Sequence, residues 1–141
     1  MKVRISQLWK IPAFCLAAGW LTFYAVVFLT ARFAVIRLPG NVLTSNLDLS
    51  NLFYIVFFLI TLLASRLCLR GMTAKERLLS ATIQAVILLL LLLVQPGILL
   101  NAYITEWSRP ISLIGYVLSG NVYVGAVLNC FAPYLLVPKM R

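Results

Sequence analysis

The sequence contains no histidine and only three acidic residues, Asp48, Glu76 and Glu106. Enzymes that transfer protons use histidine or paired carboxylates, and zinc sites are built mainly from histidine and cysteine. The three carboxylates lie in predicted loops or at helix ends, and no glycine-rich phosphate-binding loop is present. We therefore expect no enzymatic activity, no metal and no cofactor.

Cysteine is also scarce. Cys15, Cys68 and Cys130 are an odd number, and no two of them have the close C-x-x-C spacing of a metal site. We interpret all three as small apolar side chains within helices.

Charged residues make up only 11% of the 141 residues, whereas 63% are hydrophobic. Soluble domains have about 25% charged and about 45–50% apolar residues. A chain of this length cannot bury so much apolar surface in its own core, because a small domain still exposes much of its surface. The composition therefore predicts an integral membrane protein with one domain, residues 1–141.

Four apolar stretches are long enough to cross a hydrocarbon core of about 30 Å as helices. They predict an all-α fold, an integral membrane bundle of four transmembrane helices. The spans are expected at approximately 11–31, 51–69, 78–103 and 111–136. Pro96 interrupts the third stretch, and a proline inside a spanning helix usually kinks it. We expect a kink near Pro96, and the alternative is that this span ends near Gln95.

A basic turn, Arg66–Arg77, separates the second and third stretches, and it organises the predicted topology. Thr73 and Glu76 have the spacing of a capping box, which predicts a helix start near Ala74. With four spans, this turn shares a side with both termini. That side carries the basic residues Lys2, Arg4, Lys10, Arg66, Arg70, Lys75, Arg77, Lys139 and Arg141, against Arg32, Arg37 and Arg109 on the other. Cytoplasmic loops collect lysine and arginine, so we predict that both termini are cytoplasmic.

Small and polar residues within the third and fourth stretches are the first candidate functional residues. Small residues let helices approach closely, and polar side chains form hydrogen bonds across such contacts. The candidates for helix packing or for lining a pore are Ser80, Gln84, Gln95, Gly115, Ser119, Asn121, Gly125 and Asn129. Their spacing leaves open whether they face the bundle interior, a partner or a pore.

The basic residues of the central turn are the second candidate. Arg66, Arg70, Lys75 and Arg77 are candidates for docking anionic lipid headgroups or a cytoplasmic partner. Each basic residue near a membrane surface adds about 1 kcal/mol of attraction to anionic lipid. Their simpler role is to fix the topology. The net charge of +9 has the same explanation, and no motif suggests nucleic acid as a partner.

Several short motifs occur in a recognisable order along most of the chain. They are Gly19-Trp20, the region from Phe57-Phe58 to Arg70, and Pro133-Tyr134 before Lys139. In this layout the chain resembles an uncharacterised family of small four-helix bacterial inner-membrane proteins. The ending from Pro138 to Arg141 departs from that family's tail. The resemblance implies a bacterial inner (plasma) membrane location but no activity.

Two functions are compatible with these features. None of the predicted spans has an ionisable residue at mid-membrane, where a coupled transporter keeps one. We therefore expect a non-enzymatic protein that associates through its helices with another membrane component, as an accessory subunit or an immunity-type protector. The partner is a membrane protein or further copies of the chain. The alternative is an oligomeric transporter or channel with a pore lined by Gln84, Gln95, Asn121 and Asn129.

Overall fold

A computed structural model of the chain describes residues 4–40, 42–94 and 104–137. These residues are mainly helical. In chain order the elements are α1 (Lys10–Leu29), β1 (Val35–Leu38), β2 (Val42–Ser45), α2 (Leu47–Cys68), α3 (Ala74–Val94), α4 (Arg109–Ser119) and α5 (Val122–Cys130). Gln95 and the kink expected near Pro96 lie outside the described residues.

Three helices are long and apolar enough to cross a membrane. The first is α1 with its flanking turns, 30 residues from Ile5 to Ala34, and the others are α2 with 22 residues and α3 with 21. At a rise of 1.5 Å per residue, even α3 is about 30 Å long, which matches a hydrocarbon core. The structure therefore confirms three apolar helices of spanning length.

The stretch predicted as a fourth span is not one continuous helix. Gly120 ends α4 with a φ of +67°, a left-handed conformation that glycine adopts without strain. Asn121 then caps α5, because its side-chain oxygen accepts a hydrogen bond from the Tyr123 amide. The two helices have 11 and 9 residues, so each is only about half of a hydrocarbon core in length. A helical hairpin and a 3₁₀ turn, Ala132–Leu136, take the place of the expected span 111–136.

A β-hairpin between α1 and α2 was not predicted by the sequence analysis. After a π-helical turn, Thr30–Ala34, strands β1 and β2 pair antiparallel from Val35 opposite Ser45 to Leu38 opposite Val42. All eight strand residues are exposed. Both strands contain β-branched residues, which favour extended backbone, and Gly40 provides the positive φ of the turn.

The predicted capping box at the start of α3 is present. The Glu76 amide donates to Thr73 Oγ1, and the Thr73 amide donates to the Glu76 carboxylate at 2.9 Å. The same carboxylate accepts hydrogen bonds from the backbone amide and the guanidinium of Arg4, and this pairing raises the pKa of Arg4. Glu76 therefore holds the segment before α1 against the central turn.

Ser80 ties α3 to the start of α1. Its hydroxyl donates to the Leu8 carbonyl and accepts from the Ile11 amide, in a contact where Ser80 is fully buried. At the same end of the bundle, the Arg77 guanidinium donates to the Leu136 carbonyl. The start of α1, the central turn and the last described residues therefore lie next to one another at this end of the bundle. Their location on the cytoplasmic side stays a prediction.

Removing the Ser80 hydroxyl is expected to weaken this end of the bundle. Ser80→Ala should lower the free energy of unfolding in mixed micelles by about 1–2 kcal/mol, because two backbone groups lose their partner within a buried contact. The matched control is Ser45→Ala, since Ser45 is an exposed residue of β2. It should lower that free energy by less than about 0.5 kcal/mol. Equal losses for the two variants would contradict a role for Ser80 in joining α1 to α3.

Candidate functional site

The segment before α4 packs against the middle of the long helices, whereas the sequence analysis placed it in an outer loop. Trp107 is buried, and its ring stacks on Phe58 with 6.1 Å between ring centroids. Phe58 lies halfway along α2 (Leu47–Cys68). Trp107 also belongs to the buried cluster that contains Cys15 of α1. The charged neighbours of Trp107, Glu106 and Arg109, are therefore carried to mid-height in the bundle.

Tyr54, Glu106 and Arg109 form a polar group that we call the mid-bundle cluster. Arg109 Nη1 donates to the Tyr54 hydroxyl at 3.1 Å and to both carboxylate oxygens of Glu106 at 3.3 Å. The guanidinium carbon also lies 4.5 Å from the centroid of the Tyr54 ring, a cation–π contact. Tyr54 and Glu106 are buried, but the Arg109 side chain is 46% exposed. The cluster thus has one partly exposed cation, the guanidinium of Arg109.

Local sequence explains how the two charges come together. Glu106–Ser108 forms a 3₁₀ turn that leads directly into α4, and Pro110 occupies the first turn of that helix, where no amide donor is needed. Residues three apart lie close together in such a turn, so Glu106 and Arg109 face each other. The three-residue spacing of Glu106 and Arg109 therefore favours their ion pair, and the tertiary fold places Tyr54 of α2 beside it.

The end of α5 holds this turn in place. The Ser108 hydroxyl donates to the side-chain oxygen of Asn129, and the side-chain amide nitrogen of Asn129 donates to the Thr105 carbonyl at 3.4 Å. Ser108 and Asn129 are both buried. Buried polar groups are costly unless they are hydrogen-bonded, so these bonds fix the position of the turn relative to the hairpin.

Two glycines let α4 and α5 approach closely. A Cβ atom at Gly115 would lie 2.8 Å from the Cα of Gly125, and one at Gly125 would clash with the Ser112 carbonyl oxygen. Only glycine leaves room for backbone at this distance. The hairpin that carries Asn129 is therefore closed by these two positions.

The structure distributes the candidate residues from the sequence analysis over three places. Ser80 and Gln84 are buried on α3, facing the bundle interior. Gly115, Gly125 and Asn129 are buried in the hairpin, whereas Ser119 and Asn121 lie at its exposed tip. There the Ser119 hydroxyl donates to the Gly115 carbonyl and accepts from the Asn121 amide. Gln95 lies outside the described residues, and the others do not line one common surface.

The four basic candidates of the central turn also separate. Arg66, Arg70 and Lys75 are exposed, whereas Arg77 is half-buried. Arg77 Nη2 donates to the Leu69 carbonyl at 2.7 Å and thereby caps the end of α2. Arg77 is therefore part of the turn's structure, and the other three project from it.

Sequence reasoning missed the mid-bundle cluster. For the α4–α5 hairpin, however, the Gly120-Asn121 pair was a usable signal, because it combines a helix stop and a helix start in the middle of an apolar stretch and so argues against one span. Among the described residues, no group of three or more potential ligands could hold a metal ion.

Comparisons with protein-family models, with characterised proteins and with solved structures give no match.

Proposed function

We propose that this chain is a non-enzymatic, multi-pass protein of a bacterial inner membrane that binds another membrane component, as an accessory subunit or an immunity-type protector. In this proposal α1, α2 and α3 cross the bilayer, the α4–α5 hairpin replaces a fourth span, and both termini are cytoplasmic. The supports are three helices of spanning length and nine basic residues at one end of the predicted topology against Arg32 and Arg37 at the other.

The observation that carries the proposal is the half-exposed guanidinium of Arg109. Its partner Tyr54 is the eighth residue of α2, about 10 Å from the start of that helix. If the apolar part of α2, residues 51–68, crosses the bilayer, Tyr54 and Arg109 lie about one helical turn inside the interface. There an arginine costs less than the value of about 2.5–3.5 kcal/mol that insertion scales give for the helix centre. Such a residue is a functional-site hypothesis by default, and its partner has to be named.

The contacts of Arg109 with other described residues leave part of that cost uncompensated. Its hydrogen bonds to other described residues all use Nη1, whereas a guanidinium has five N–H groups. The carboxylate of the buried Glu106 contacts the guanidinium at Nη1. A carboxylate or amide acceptor from a neighbouring membrane protein would satisfy the remaining donors.

The surface beside Arg109 has room for another helix. Within α2, only Tyr54, Thr61 and Ser65 are buried, so most of this helix faces outward. Its exposed apolar side chains include Leu52, Ile55, Val56, Leu59, Ile60 and Leu63. Association of helices in a membrane depends on packing and polar contacts rather than on hydrophobicity. We therefore propose that the occupant is a spanning helix with an acceptor at the level of Arg109.

Co-purification from native membranes tests this function. Wild-type protein crosslinked and extracted in mild detergent should bring down a distinct membrane protein. Arg109→Gln should reduce that recovery about tenfold, because a buried acceptor on the partner loses its cation. Arg37→Gln is the matched control, since Arg37 is an exposed basic residue of β1. Its recovery should stay within about twofold of wild type.

Two results would refute the partner hypothesis. One is equal recovery of the partner by wild type and by Arg109→Gln. The other is recovery of only a homo-oligomer that passes solute in liposomes.

A second candidate function is an oligomeric transporter or channel, favoured by the two short helices α4 and α5, which take the place of one spanning helix. Broken helices form substrate sites in transporters. Gln84, Asn121 and Asn129 lie in separate places, so here the site would be Arg109 with a small anion. Chloride efflux from liposomes that Arg109→Gln abolishes would favour this candidate.

A further inference from the structure

A cleft of about 540 Å³ lies at the end of the bundle that holds the central turn. It opens between the last turns of α2, the first turn of α3 and the 3₁₀ turn Ala132–Leu136. One part of its wall is polar and the other apolar. The polar residues are Ser65, Arg66 and Arg77, and the apolar ones include Leu62, Leu135 and Val137. The size lies within the range of pockets that bind small ligands, about 300–1,000 Å³.

Two arginines give this cleft an uncompensated positive charge. Arg66 and Arg77 both line it, and neither forms an ion pair within the described ranges. No carboxylate is among the lining residues. Arg77 is held in place by its bonds to the Leu69 and Leu136 carbonyls, and its Nε is buried without an acceptor among the described residues. Guanidinium groups bind phosphate through parallel hydrogen bonds.

We propose that the cleft binds one anionic phospholipid, with its phosphate at Arg66 and Arg77 and an acyl chain along Leu62 and Leu135. A soluble phosphate would use the arginines but not the apolar wall. The cleft also lies at the end of helices of spanning length, the level at which lipid headgroups are found. Basic pockets between transmembrane helices on the cytoplasmic side recognise anionic headgroups in this way.

The four basic candidates of the turn differ in whether they line this cleft. Arg66 and Arg77 line the cleft, whereas Arg70 and Lys75 do not. A diffuse attraction of the basic turn to a charged surface would depend on all four about equally. A defined lipid site depends on the first two, and it stands whether or not a partner binds at Arg109.

Native mass spectrometry of the purified full chain in mild detergent tests this site, with dioleoyl phosphatidylglycerol or dioleoyl phosphatidylcholine added. Wild type should retain one phosphatidylglycerol with at least about fivefold preference over phosphatidylcholine. Arg66→Gln should lower the affinity for phosphatidylglycerol about fivefold to tenfold. Arg70→Gln is the control, because Arg70 is an equally exposed arginine of the same turn. It should lower the affinity by less than about twofold.

Three outcomes would overturn the lipid site. The first is an equal loss in Arg66→Gln and Arg70→Gln, which would indicate diffuse electrostatics. The second is equal retention of the two lipids by wild type. The third is displacement of phosphatidylglycerol by inorganic phosphate at about the lipid's own concentration, since the acyl chain would then contribute nothing.

Discussion

Gly125→Ala is expected to lower the free energy of unfolding by about 3 kcal/mol, the upper part of the range for overpacked cores. The added methyl group would lie against the backbone carbonyl of Ser112 on α4. A backbone atom cannot rotate away as a side chain can, so α4 and α5 would have to separate. Because Asn129 on α5 holds Ser108, the shift should also disturb the mid-bundle cluster.

The control for this variant is Gly120→Ala at the tip of the same hairpin. A Cβ atom there meets nothing within 4 Å, so only the left-handed backbone is strained. That strain costs about 1–2 kcal/mol. The chemical change is identical at the two positions, and unfolding in mixed micelles compares them. A Gly125→Ala loss no larger than that of Gly120→Ala would show that α4 and α5 are not packed through Gly125.

The predictions that rest on local pattern agree with the structure. Long apolar runs predicted four spanning helices, and the described residues contain three helices of spanning length. The Thr73 to Glu76 spacing predicted a helix start near Ala74, where α3 begins. Both signals act within a few turns of helix, because hydrophobic periodicity and capping are properties of neighbouring residues. The burial of Ser80 and Gln84 follows the same logic, since one apolar helix presents its polar stripe to other protein rather than to lipid.

The mid-bundle cluster required information that a single sequence does not contain. Glu106 and Arg109 occur beside Trp107, a composition typical of an interfacial loop. Their placement within the bundle depends on Tyr54, which is 55 positions away from Arg109, and on Asn129, whose side chain accepts a hydrogen bond from Ser108. Neither contact leaves a spacing or a motif that could be read locally.

The α4–α5 hairpin is a second feature that the local sequence pattern did not predict. Asn121, Gly125 and Asn129 recur every four residues, which predicts one polar stripe on one helix. In the structure Asn121 is instead a helix cap, because Gly120 ends α4 immediately before it. The tertiary packing of Gly115 against Gly125 decides that α4 and α5 fold back on each other.

A double-variant cycle at Glu106 and Arg109 tests the depth of the mid-bundle cluster. Arg109→Gln should lower the free energy of unfolding by about 2–3 kcal/mol, because it leaves the buried Glu106 without its cation. Glu106→Gln should cost only about 1 kcal/mol, since the guanidinium keeps Tyr54 and is 46% exposed. The double variant should be about 1 kcal/mol more stable than Arg109→Gln alone, because two amides can pair where a lone carboxylate cannot.

The asymmetry between the single variants distinguishes the buried site from an outer loop. In a solvated loop a Glu–Arg pair three residues apart contributes at most about 0.5 kcal/mol, and removing either side chain has nearly the same small effect. Two single losses below that value, with additive behaviour in the double variant, would place the segment in water. A large, non-additive loss centred on Arg109 would instead support a cation held within the bundle, which is the condition for a partner's acceptor to recognise it.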